Sequence, residues 1–208
     1  MSTLCMALKS DNVIHLVSDR MITDTELNYR FITTTPKIIP IGTHNHQDVI
    51  AMPAGPIVLN TLLRARPYFE DAEELDVDLF ETHILAKLLP ELMQTQRDFG
   101  YSASTDGADD GDLLGSMLVI YDNTIYAICE HRSILDVGLC GVVGSSSHVV
   151  YPAVSASRHF TDDPRLMLRA TIQACLDLDP YISAPFDYAT YTAGQLSEIR
   201  TLNGPSEL

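Results

Sequence analysis

The chain has 208 residues, of which 46% are hydrophobic, and its 13 Lys and Arg stand against 28 Asp and Glu, for a formal net charge of −15. This acidic balance argues against nucleic acid and anionic membrane as partners, because Lys and Arg supply the attraction to phosphate. The length and the apolar content predict one domain over residues 1–208. Four widely spaced cysteines without a C-x-x-C pair indicate reduced thiols and no metal site in a cytoplasmic protein.

Apolar runs separated by turn residues predict strands at the beginning of the chain. The runs at 3–9 and 13–17 flank Ser10-Asp11-Asn12, which is typical of a hairpin turn. Further strands are predicted at 31–41 and 48–52, and the second of these ends at a Gly/Pro turn.

Apolar residues at helical spacing follow this turn. They predict a helix from residue 57 and a second one over 80–93, which Pro90 should kink or restart. No apolar run approaches the roughly 20 residues that span a bilayer.

The second half of the chain repeats the order of strands and then helices. Strands are predicted at 116–121, 124–129, 133–137 and 140–143, helices at 148–159 and 164–178, and a last strand at 186–192. Strand groups that alternate with helix pairs predict packed antiparallel sheets flanked by helices, rather than a doubly wound parallel sheet.

Three residues near the start of the chain combine into a catalytic pattern. Thr3 lies at the start of the first strand, Asp19 at the end of the second, and Lys37 at the start of the third. A Thr or Ser hydroxyl is a poor nucleophile until a base takes its proton, and a free α-amine with a pKa near about 8 can be that base. A neighbouring Lys keeps that pKa low, and an Asp orients the Lys.

With these residues the sequence resembles the proteasome β-type family of N-terminal nucleophile hydrolases, and among its bacterial members most of all the Anbu type. The resemblance spans about 3–192 and leaves 193–208 as a C-terminal tail. It is carried by the following segments: Thr3-Leu4-Cys5-Met6-Ala7-Leu8, Val17-Ser18-Asp19-Arg20, Ile32-Thr33-Thr34-Thr35-Pro36-Lys37-Ile38, Ala54-Gly55, and Val143-Gly144-Ser145-Ser146.

The resemblance implies an α/β fold with four αββα layers, two antiparallel sheets between helix pairs. It also implies a role for each of several residues. Thr3 is expected to be the nucleophile, with Asp19 and Lys37 as its charged pair and the Gly55 N–H as the oxyanion donor. Ser145 is expected to support the terminal amine.

Two assignments stay open. The acid beside Ser145 is Asp179 or, alternatively, Asp177. The nucleophile is Thr3 or, alternatively, Ser2, because Met before Ser is normally removed. The register counted back from Asp19 favours Thr3, since a one-residue slip turns every side chain of a strand to the other face.

The implied function is a threonine-type peptidase or amide hydrolase in a homo-oligomeric ring or helical assembly. Peptides or proteins are the expected substrates, an unfoldase is a possible partner, and no metal or organic cofactor is implied. One alternative is a catalytically inactive structural or assembly subunit of the same fold, such as a virus or phage component found in the virion. A second alternative is a small-molecule amidase.

Overall fold

The computed structural model describes residues 4–24, 29–70, 79–101 and 113–208. Its first sheet is antiparallel throughout and brings the two ends of the chain together. Its strands are β1 (Cys5–Ser10), β2 (Val13–Asp19), β10 (Cys140–Val143), β11 (Phe186–Thr192), β12 (Gln195–Leu196) and β13 (Arg200–Leu202). In spatial order they run β10, β1, β2, β11 and β12, and β13 also pairs with β11.

The second sheet is also antiparallel and follows chain order. It consists of β5 (Ile39–His44), β6 (Gln47–Ala54), β7 (Ser116–Tyr121), β8 (Thr124–Ile128) and β9 (Ile134–Asp136). A separate two-stranded ribbon, β3 (Met21–Asp24) with β4 (Tyr29–Ile32), follows the end of β2.

Helices cover the outer face of each sheet. α1 (Ile57–Arg64), α2 (Phe80–His83) and α3 (Leu89–Asp98) lie over the second sheet, and α4 (Ser147–Ser157) and α5 (Pro164–Leu178) lie over the first. The Asp163 side chain caps α5 by accepting from the Arg165 N–H. None of the helices within the described ranges is long and apolar enough to cross a membrane.

Side-chain alternation along the strands builds the layers. In β1, Cys5 and Ala7 face the second sheet, whereas Met6 and Leu8 face α4 and α5. A fully buried apolar layer therefore separates the two sheets, and a helix-facing core lies on each outer side. The predicted arrangement of two antiparallel sheets between helix pairs is confirmed.

The prediction of one strand over 31–41 is wrong. β4 ends at Ile32 and β5 begins at Ile39, and the two strands belong to different sheets. Pro36 lies in the segment between them, and a residue without an N–H cannot continue a strand ladder. This break leaves Lys37 in a connecting segment immediately before β5.

The prediction for Pro90 is confirmed as a restart. A π-helical turn, Ile84–Leu88, joins α2 to α3, and Pro90 lies in the first turn of α3. Because the proline ring has no N–H to donate, the wider turn accommodates it without ending the helical path.

Gly42 gives the second sheet a contact that only glycine allows. Its φ is +131°, and a Cβ at this position would meet the Phe69 carbonyl oxygen at 2.0 Å. We expect Gly42→Ala to lower the free energy of unfolding by roughly 2–4 kcal/mol, because both the backbone and the packing must shift. Urea denaturation followed by circular dichroism measures the change.

Gly204 supplies the matched control. It has extended backbone, with a φ of −177°, and a Cβ there meets nothing within 4 Å. Gly204→Ala should change the free energy of unfolding by less than about 0.5 kcal/mol. Equal losses for the two variants would contradict the assigned role of the contact between Gly42 and Phe69.

Candidate active site

A buried ion pair lies where β2 ends. Asp19 is fully buried, and the Lys37 side chain is 4% exposed. Lys37 Nζ donates to Asp19 Oδ1 at 2.7 Å and to the Met21 carbonyl at 2.8 Å. Buried charges are stable only when they are paired and hydrogen-bonded, so these two side chains hold each other in a defined geometry.

The same carboxylate holds the beginning of β1. The Leu4 N–H donates to Asp19 Oδ1 at 3.0 Å, and the Asp19 N–H donates to the Leu4 carbonyl at 3.0 Å. Thr3 and Ser2, the two candidate nucleophiles, lie outside the described residues. Asp19 therefore fixes the backbone of Leu4, the residue that follows Thr3 in the sequence.

A second polar cluster joins the start of α4 to the end of α5. Ser145 Oγ donates to Asp179 Oδ2 at 3.2 Å, and Ser146 Oγ donates to the same oxygen at 2.9 Å. Asp179 Oδ1 accepts from the Tyr181 N–H at 2.9 Å. Asp177 is exposed and accepts from Gln173 one turn earlier in α5. The structure therefore brings Ser145 together with Asp179 and not with Asp177.

Gly55 lies between β6 and α1 in a backbone conformation that L side chains rarely adopt, with a φ of +157°. A Cβ there would meet the Gly115 Cα and the Leu114 carbonyl oxygen, each at 3.0 Å. The absence of a side chain lets the two backbones approach closely at the entrance to α1.

Two cavities lie on either side of this turn. The Arg64 cavity, of about 340 Å³, is lined among others by Ile22, Thr33, Thr35, Ile57, Asn60 and Arg64. The Glu130 cavity, of about 350 Å³, is lined among others by Gly55, Pro56, Ser116, Glu130, Gly144 and Ser145. The Gly55-Pro56-Ile57 turn therefore separates a cavity with a cation from a cavity with a carboxylate.

Two groups near the site have shifted pKa values. Burial lowers the pKa of the Arg64 guanidinium, and Asp187 opposes this shift. Burial, helped by the charges of Asp179 and Asp19, raises the pKa of the Cys175 thiol to about 12. Cys175 is thus a neutral core thiol at pH 7. Within the described ranges, no three His, Cys, Asp or Glu residues are grouped in a way that could hold a metal ion.

Solved structures share this architecture. BPH from Thiobacillus denitrificans, in complex with epoxomicin, superposes with a TM-score of 0.71 at 14% identity, over 92% of this chain and 100% of that one. The helical assembly of the Anbu complex from Pseudomonas aeruginosa gives 0.68 at 15% identity, over 96% and 86%. The chain has the proteasome β-type N-terminal nucleophile hydrolase fold.

Eukaryotic HslV from Trypanosoma brucei has this fold as well, with a TM-score of 0.60 at 14% identity over 91% of this chain and 99% of that one. No model of a known protein family matches the sequence, and no curated protein matches it. The resemblance that the sequence predicts is therefore confirmed at the level of the proteasome β-type fold.

Within this proteasome-type fold, Arg20 and Asp187 form an ion pair that is not among the predicted site residues. Arg20 Nε donates to both Asp187 carboxylate oxygens, at 2.9 and 3.0 Å, and Nη2 donates to Oδ1 at 2.6 Å. Arg20 Nη1 donates to the Thr34 carbonyl at 3.2 Å. The pair links the end of β2 and β11 to the segment that carries Lys37. An acidic residue in the otherwise apolar start of β11 was the signal that could have revealed it.

The buried pair makes a direct prediction for stability. Lys37→Met should lower the free energy of unfolding by about 3 kcal/mol or more, because it leaves the Asp19 carboxylate buried without its cation. The double variant Lys37→Met/Asp19→Asn should lose less, since no isolated charge remains. Chemical denaturation of the variants at pH 7 measures both.

Lys9→Met is the matched control for the loss of a lysine. Lys9 is half-buried near the end of β1, and replacing it should change the free energy of unfolding by about 0.5 kcal/mol at most. A double variant that is as unstable as Lys37→Met, or more so, would mean that the ion pair is not what the Asp19 site requires.

Proposed function

We propose that this chain is a threonine-type amide hydrolase that cleaves peptides with Thr3 as its N-terminal nucleophile. The observation that carries the proposal is the buried Lys37–Asp19 pair, whose carboxylate also binds the N–H of Leu4, the residue that follows Thr3. A cation and a backbone anchor beside one hydroxyl are what an activated threonine requires.

The proposed reaction has two stages. The α-amine of a chain that begins at Thr3 takes the Oγ proton, and Oγ attacks the substrate carbonyl carbon. The oxyanion is stabilised by the Gly55 N–H, the C–N bond breaks, and the amine passes its proton to the leaving nitrogen. In the second stage the same amine takes a proton from water, and the water oxygen attacks the carbonyl carbon of the acyl ester. The bond from that carbon to Thr3 Oγ breaks, the amine passes the proton to Oγ, and the acid is released.

Each charged residue has a separate task in this proposal. Lys37 supplies a positive charge that disfavours protonation of the terminal amine and stabilises the developing alkoxide. Asp19 positions Lys37 and the backbone of β1. Ser145, held by Asp179, supports the terminal amine through its hydroxyl.

The Arg64 cavity is the proposed site for the substrate side chain on the acyl side. Its lining includes Ile22 and several residues of α1. Ile22 is next to Met21, whose carbonyl accepts a hydrogen bond from Lys37 Nζ. Asn60 Oδ1 is buried at this cavity without a hydrogen-bond partner in the described part of the chain. A polar group of the substrate that donates a hydrogen bond would satisfy it.

We also propose that the chain works in the cytoplasm as a homo-oligomer. The helical assembly of the Anbu complex from Pseudomonas aeruginosa supports the homo-oligomer, because that protein has the same fold. The epoxomicin complex of BPH from Thiobacillus denitrificans supports a site in this chain that accepts epoxomicin.

The first test compares chains that begin at Met1, Ser2 and Thr3, each released from a fusion by a specific protease. Only the chain that begins at Thr3 should hydrolyse a denatured protein and gain the mass of epoxomicin by intact-mass spectrometry. Thr3→Ala should lower hydrolysis by at least about a thousandfold, since the nucleophile is lost.

The outcomes separate the alternatives. Activity in the chain that begins at Ser2, lost in Ser2→Ala, would make Ser2 the nucleophile. Absence of hydrolysis and of epoxomicin uptake in all three chains would overturn the proposal in favour of an inactive structural subunit. Hydrolysis restricted to small amides by a monomer would indicate an amidase.

The two serines that share Asp179 are a matched pair for a second prediction. Ser145 lines the Glu130 cavity, whereas Ser146 is fully buried. Ser145→Ala should lower kcat about tenfold with little change in stability, because one charge-assisted hydrogen bond at the amine is removed. Ser146→Ala should mainly lower the free energy of unfolding, by about 1–3 kcal/mol. The reverse assignment of the two effects would contradict the role of Ser145.

A further inference from the structure

The Glu130 cavity is lined by residues of four separate segments, which include Ser116, Glu130 and Ser145. Gly55 and Pro56 come from the turn before α1, Ser116 from the start of β7, and Gly144 and Ser145 from the turn before α4. Glu130, which follows β8, is an exposed residue of the lining. With about 350 Å³, the cavity has room for one long side chain.

Glu130 gives this cavity its charge. Among the described residues that line it, Glu130 is the one with a charged side chain. Glu130 is exposed, and within the described ranges no hydrogen bond or ion pair engages its carboxylate. A carboxylate that no neighbour neutralises favours a cationic occupant and disfavours an anionic one.

The proposed mechanism indicates which part of a substrate enters this cavity. The terminal amine passes its proton to the leaving nitrogen, so the leaving part of the substrate must lie beside that amine. Ser145, which supports the amine in the proposal, lines the Glu130 cavity and does not line the Arg64 cavity. The residue that follows the cleaved bond is therefore the one that faces Glu130.

We propose that the Glu130 cavity selects a basic side chain, lysine or arginine, on the residue that follows the cleaved bond. The inference rests on the proposed hydrolase activity and adds a specificity to it. A lysine or arginine stem is long enough to cross the polar cavity, and its terminal cation meets the Glu130 carboxylate at the rim. Glu130 is thus assigned as a specificity-determining residue.

The test uses chains that begin at Thr3 and a set of fluorogenic ten-residue peptides. The acyl half of each peptide copies the site that the enzyme cuts most in a reduced and alkylated protein, mapped by mass spectrometry. The residue after the cut is Lys, Gln or Glu. We expect kcat/KM for Lys to exceed that for Gln about three- to fivefold, and that for Glu about tenfold, as one exposed ion pair allows.

Two variants at Glu130 and one control elsewhere decide the cause. Glu130→Gln should bring the three kcat/KM values within about twofold of each other, and Glu130→Lys should reverse their order. Glu198→Gln changes the net charge equally at an exposed residue that lines neither cavity, and it should keep the preference for Lys. Ratios within one variant cancel any loss of folded enzyme.

The possible failures are distinguishable. Cleavage of the peptides without a preference for Lys, or a preference that survives Glu130→Gln, overturns the assignment of Glu130 and leaves the hydrolase intact. Absence of peptide cleavage together with absence of epoxomicin uptake overturns the hydrolase itself, and the specificity with it. If Glu198→Gln reduces the preference for Lys as much as Glu130→Gln does, the preference comes from the net charge of the protein and the role assigned to the cavity is wrong.

Discussion

The burial of one carboxylate at the end of β2 constrains the whole candidate site. Asp19 has no exposed surface, so its charge must be met by protein groups, and Lys37 and the Leu4 N–H meet it. The bond to Lys37 fixes the segment before β5, and the bond to the Leu4 N–H fixes the start of β1. Neither segment can shift without leaving a buried charge or a buried N–H without its partner.

The remaining parts of the site lie at the same edge for a topological reason. β1 pairs with β10 and with β2, so the turn after β10, which carries Ser145, lies beside the start of β1. β6 belongs to the second sheet, and its end carries Gly55 to the facing edge. Because the sheets pack face to face, these turns enclose a gap between the layers. Catalytic groups placed there are held by strands on both sides.

Much of this could be predicted from local signals, and the exceptions have physical causes. The strand at 186–192 and the helix at 164–178 have the predicted bounds, since their apolar periods are unbroken. The break between β4 and β5, which contains Lys37, was not predicted. The β-prone residues on the two sides of Pro36 read as one strand in the sequence, but they belong to different sheets. The predicted pairing of Lys37 with Asp19 is present in the structure, whereas Arg20 and Asp187 are 167 positions apart and only the sheet order brings them together.

The net charge of −15 has the same sign as the charge of the Glu130 cavity and the opposite sign to that of the Arg64 cavity. An acidic surface raises the local concentration of any cationic peptide, whatever the shape of the site, and salt screens this effect. The Glu130 cavity acts in the same direction as that field, while Arg64 acts against it at close range. A general field accelerates the arrival of basic peptides but cannot distinguish one residue from its neighbour in the same chain. Discrimination between positions of one bound peptide must therefore come from the cavities on either side of the Gly55-Pro56-Ile57 turn.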